Sequence, residues 1–117
     1  YQGTETALRF AHALLEAGHE LYRVFFYHDG VYNGNALVVR PDNAPDIPAR
    51  WTTLAQSHDI DLVVCIAAAL KRGILDEGEG KRYGKSAADL REGFNISGLG
   101  QLIDAVVVSD RFITFGA

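Results

Sequence analysis

Cys65 is the only cysteine in this 117-residue chain, and a thiolate is the strongest nucleophile an unmodified side chain can supply near neutral pH. Standing alone, it forms no internal disulfide. If it accepted sulfur as a persulfide, no second thiol of the chain could resolve it, so discharge requires another molecule's nucleophile. Lys71 and Arg72 follow closely; cationic side chains and the positive end of a following helix both favour a thiolate. The opposing reading is packing, because free cysteine is among the most buried residue types. Position alone leaves both readings open.

Other chemistry-bearing patterns fall short of what their mechanisms need. A tyrosine-phosphatase loop requires arginine six residues after the cysteine, where this chain has Lys71 and no glycine-rich cradle between. Gly84-Lys85-Ser86 resembles the end of a P-loop, but Glu79 occupies the place of the first glycine and no strand precedes it. Ser97, in Asn95-Ile96-Ser97-Gly98-Leu99, lacks the Gly-x-Ser-x-Gly elbow and reads as a helix cap. His12, His19, His28 and His58 show no metal-ligand spacing with Cys65, so no metal is expected. His28 and Tyr27 follow an apolar segment and are candidates to share a sheet edge with Cys65. Trp51 is a core residue or, if exposed, part of a partner surface.

Something must position these groups. Ala7, Leu8, Phe10, Ala11, Leu14 and Leu15 recur at helical spacing, predicting a helix over 4–17 with Thr4 as N-cap and Gly18 as stop. Leu21 to Tyr27 reads as a buried strand ended by the His28-Asp29-Gly30 turn. Asp42 to Pro48 is proline-rich loop, and a second helix follows over about 48–58. Ile60 to Ile66 is the most apolar strand, with Cys65 at its carboxyl end and no polar alternation, as in a central parallel position. Ala67 to Leu70 favours a helical turn ending near Gly73, and charged Asp76 to Lys85 belongs at the surface. Ser86 to Arg91 reads as a short helix and Phe94 to Ile96 as a strand. Leu99, Leu102, Ile103 and Val106 line a last helix, and Arg111 to Phe115 closes as a strand. Alternating strands and helices predict a three-layer α/β sandwich with a mainly parallel sheet, whose carboxyl edge gathers reactive groups. The chain opens at Tyr1 and holds no methionine; the expectation is that a first strand lies upstream, with Tyr1-Gln2-Gly3 its exit loop.

Length and composition bound the rest. The chain, 48% hydrophobic, suffices for one domain over 1–117. Fifteen acidic against eleven basic residues give a net charge of −4, with no basic stripe to track a nucleic acid. No apolar run reaches membrane-spanning length and no signal peptide is visible, so the cytoplasm is the expected compartment.

Three stretches carry a resemblance: Phe25 to Asn33 (FFYHDGVYN), Val64 to Ile74 (VCIAAALKRGI) and Gly93 to Leu102 (GFNISGLGQL). Together they resemble the DsrE/TusD family of sulfur-relay proteins over nearly the whole chain. The resemblance implies a sulfurtransferase subunit whose cysteine, here Cys65, receives sulfane sulfur from a small carrier protein and relays it to an acceptor protein, without a cofactor. Tyr27, His28, Lys71 and Arg72 are the candidates for shaping the pocket. The resemblance further implies related DsrF/TusC-like and DsrH/TusB-like subunits assembled as a heterohexamer. It implies either 2-thiouridine synthesis in tRNA or cytoplasmic sulfur oxidation, and His28-Asp29 with Asp76-Glu77-Gly78-Glu79 looks somewhat more like the latter. The alternative is a non-catalytic assembly subunit, with Cys65 as packing and the surfaces around Trp51 and Val31 to Leu37 binding related chains.

Overall fold

The computed structural model describes residues 2–41 and 43–116, with only the backbone at Gln2. In chain order the elements are helix α1 (Gln2–Glu16), strand β1 (Arg23–Phe26), a 3-10 helix (His28–Gly34), α2 (Ile47–His58), β2 (Asp61–Cys65), α3 (Ile66–Lys71), α4 (Glu77–Arg82), β3 (Phe94–Ser97) and α5 (Leu99–Val108). The three strands form one parallel sheet in the order β1-β2-β3. This is the expected α/β sandwich, with β2 central and its Leu62, Val63, Val64 and Cys65 all buried.

Because strand side chains alternate, Val24, Phe26, Leu62, Val64, Phe94 and Ile96 share one face, while Phe25, Val63, Cys65, Asn95 and Ser97 share the other. α1 and α2 close the first face through Leu8, Ala11, Trp51, Leu54 and Ala55. Trp51 is 2% exposed and meets the Phe26 ring edge-on at 5.5 Å, so it is core and not a partner surface. The 3-10 helix seats against this face: Val31 is fully buried, and a Cβ on Gly34 would stand 2.8 Å from Val64 Cγ1. The proposed Val31 to Leu37 surface is therefore buried at Val31, Asn33 and Gly34, and open at Tyr32 and Leu37.

The second face is fastened differently. Arg23, whose side chain is 9% exposed, donates to Asp61 at 2.7 Å, to the Gln101 carbonyl at 2.8 Å and to Asp104 at 3.1 Å. Tyr22 donates to Asp104 at 2.9 Å and Asn95 to Asp61 at 3.0 Å. This clamp ties α5 to the amino ends of the strands. Burial works against the Arg23 charge, but its bonds to Asp61 and Asp104 outweigh that and raise its pKa. The Tyr22 hydroxyl, and then Arg23, hold Asp104 below the usual carboxylate range. α5 itself buries no residue, leaving Leu99, Ile103, Val106, Val107 and Val108 exposed.

Several local expectations are corrected. α1 begins at Gln2, so Gln2 and Gly3 are helical and not an exit loop, while Tyr1 and Asp42 lie outside the described residues. Thr4 stands inside that helix, accepting from Asn33 Nδ2 at 3.2 Å instead of capping. Ser86 to Arg91 forms no helix, because its backbone bonds elsewhere: Asp89 and Leu90 donate to the Leu75 carbonyl, and Arg91 donates to Gly34. Charged Asp76 to Lys85 does lie largely at the surface, but it contains α4, which Asp76 caps by accepting from the Glu79 amide at 2.8 Å. Arg111 to Phe115 is not a strand, since it pairs with no strand among the described residues; it runs back until Phe115 meets Phe10 at 5.6 Å between ring centroids.

Candidate functional site

Cys65 ends β2 and is the N-cap position of α3, with φ −63° and ψ 123°. Its extended conformation keeps it in the ladder while the next residue begins the helix, so the chain turns away at the thiol. In parallel register, Cys65 pairs with Ser97 of β3, just as Phe26 pairs with Val64. Tyr27 follows Phe26 with extended backbone, at the continuation of that register. The carboxyl edge of the sheet thus brings Tyr27, Cys65 and Ser97 into one row, their Cβ atoms on the second face. The thiol is 2% exposed and packs with the core that includes Ala68, Ala69 and Ile74.

The other expected residues are arranged around this row with distinct partners. Tyr27 and His28 are both exposed, their rings 4.1 Å apart, and His28 adopts a left-handed φ of 46° as the chain enters the 3-10 helix. Arg72 sits at the far end of α3, roughly 9 Å along the axis from its start. There its guanidinium donates to Asp29 at 3.0 Å and to the Ala68 carbonyl at 3.0 Å, bolting the 3-10 helix to α3. Lys71 is exposed beside it.

Ser97 is the residue that sequence reasoning set aside. It was expected as a cap, but the cap of α5 is Gly98, and Ser97 remains in the strand. Nothing local marks it; its relation to Cys65 exists only once β2 and β3 pair. A groove of about 560 Å³ lies between α1 and α2, lined by His12, Arg50 and His58 among others, and contains none of the row at the carboxyl edge. Among the described residues no three His, Cys, Asp or Glu side chains are grouped to hold a metal ion. No helix among them is long and apolar enough to cross a membrane.

The fold and site define an α/β domain with one thiol at the carboxyl edge of its central parallel strand. The DsrE/DsrF-like family model matches residues 1–115, and the chain belongs to that family. It is 50% identical over 116 residues to a DsrE protein of Allochromatium vinosum, covering 99% of this chain and 89% of that one. It is 47% identical over 114 residues to the sulfurtransferase TusD of Salmonella newport, covering 97% and 89%. A sulfurtransferase TusD homolog of Pseudomonas aeruginosa is 48% identical over 110 residues, covering 94% and 84%. The crystal structure of the ychN protein from E. coli shares the fold, with TM-score 0.70 and 23% identity over 94% of this chain and 84% of that one.

Proposed function

We propose that this chain is a single sulfur-carrier domain over 1–117, a cytoplasmic sulfurtransferase subunit that carries sulfane sulfur on Cys65. What carries the reading is the lone thiol at the carboxyl end of the central strand, in a chain 47% identical to a protein named sulfurtransferase TusD. The Cys65 thiolate attacks the outer sulfur of a donor persulfide. A new S–S bond forms on Cys65, the donor's S–S bond breaks, and the donor leaves as its thiolate. The same exchange, with an acceptor cysteine attacking, hands the outer sulfur on. It is redox-neutral and needs no cofactor. Tyr27 and His28 stand exposed at the edge, and Lys71 adds positive charge at the far end of α3, where Arg72 is paired with Asp29.

The lone thiol makes partners necessary: a small carrier protein as donor and an acceptor protein. The exposed apolar side of α5, with Val107 78% exposed, supports assembly with related DsrF/TusC-like and DsrH/TusB-like subunits in a heterohexamer. The pathway served is 2-thiouridine synthesis in tRNA or sulfur oxidation, the sulfur passing protein to protein without direct nucleic-acid contact by this chain.

The test is to incubate the chain, alone and with its sister subunits, with a persulfide donor and to measure intact mass beside Cys65→Ser. The expected result is a gain of one sulfur atom, absent in the variant. Burial of Cys65 favours the second reading, a non-catalytic assembly subunit; a stable complex in which Cys65 neither loads nor alkylates would establish it and end the relay reading.

A further inference from the structure

The pairing of Cys65 with Ser97 assigns a role to a residue that its own sequence neighbourhood marks only as a helix cap. Partners in register on adjacent strands stand roughly 4.8 Å apart and project to the same face. A hydroxyl and a thiol on such a pair can meet through side-chain rotation alone, without backbone movement. Three features of the surroundings suit an anion acceptor at this place. Ser97 is half-buried, so a bond from it is shielded from competing water. The hydroxyl does not occupy the cap position of α5, which Gly98 holds without a side chain to bond the first turn. Beside them on this face are Phe25 and Val63, which offer sulfur no hydrogen bond, Asn95, whose amide donates to Asp61, and Tyr27, which is exposed with its ring against His28.

We propose that Ser97 is a positioning residue for the travelling sulfur, its Oγ–H donating to the Cys65 thiolate and then to the outer sulfur of the Cys65 persulfide anion. This rests on the relay reading above and deepens it. In the loading step the electron pair of the Cys65 thiolate forms the new S–S bond, the donor departs with the pair of the broken bond, and the proton of the outer sulfur passes to water. Ser97 exchanges no proton. It holds the anion on the same side of the edge before and after transfer, so the sulfur is aimed the same way for receipt and for delivery.

Three variants test this in the full chain with its sister subunits, using a small persulfide donor for loading and iodoacetamide for the free thiol. Ser97→Ala should load about tenfold more slowly at neutral pH and alkylate along a profile moved to higher pH, as expected for losing a hydrogen bond to an anion. Ser97→Thr, which keeps the hydroxyl, should restore both. Ser97→Cys should make a resolving thiol: attack of the new thiolate on the Cys65 inner sulfur forms the internal disulfide and expels hydrosulfide, which is measured directly. Equal loading and alkylation profiles in wild type and Ser97→Ala would overturn the Ser97 role while leaving the relay intact. A loaded Ser97→Cys chain that keeps its persulfide would overturn the adjacency itself. Failure of the wild type to load at all would fall on the relay reading instead.

Discussion

Arg72 illustrates how a charge that looks chemical from its position in the chain becomes structural in the fold. Its guanidinium is 3.0 Å from Asp29 and also satisfies the Ala68 carbonyl, so its bonds join two segments before any substrate arrives. Asp29 is well exposed, which limits the pair to about 1 kcal/mol or less. Arg72→Ala should therefore lower stability by no more than that in denaturant titration and leave sulfur loading within about twofold. Cys65→Ser should abolish loading altogether. A large loading defect in Arg72→Ala would return the guanidinium to the site. Cys65 was legible in the sequence because its residue type is unique and its strand is uniformly apolar. Ser97 was not, because its nearness to Cys65 arises from a register between two strands.

At the scale of elements, the two faces of the sheet are held by different physics. On the first, packing leaves no room: Gly34→Ala would set a Cβ 2.8 Å from Val64 Cγ1, and the strain should cost about 1–3 kcal/mol of unfolding free energy, partly relieved by Val64→Ala. On the second, the Arg23 clamp is electrostatic and so depends on pH. Asp104 has its folded pKa lowered by Tyr22 and Arg23. Its contribution is therefore complete above the unfolded carboxylate value and disappears as pH falls through the folded one. Asp104→Asn should melt below the parent at neutral pH, with the gap closing as pH drops under about 4; a constant gap would contradict the clamp. The strands and the α1, α2 and α5 helices were readable from apolar spacing. Gly78 and Gly80 hid α4, although Asp76 and Glu79 were a capping pair in plain view. Ser86 to Arg91 misled because distant backbone partners at Gly34 and Leu75 override local helix preference.

For the molecule as a whole, the uncovered apolar side of α5 is the feature that an assembly would use. Val107→Asp should leave thermal melting of the isolated chain nearly unchanged, since Val107 is 78% exposed. The same variant should abolish co-elution with sister subunits in size-exclusion chromatography; retained co-elution would move the interface elsewhere. Assembly also bears on the depth at which Cys65 lies. A thiol only 2% exposed is shielded from peroxide and from small cellular thiols, which otherwise oxidise it or strip its cargo. On the relay reading, loss of sulfur to bulk solutes would need the carboxyl edge to open, and every additional 1.4 kcal/mol or so of opening cost would make that loss tenfold rarer. A docking partner that supplies that opening cost would reach the sulfur faster than bulk solutes do, so the depth of one side chain would act as a filter on who collects the sulfur.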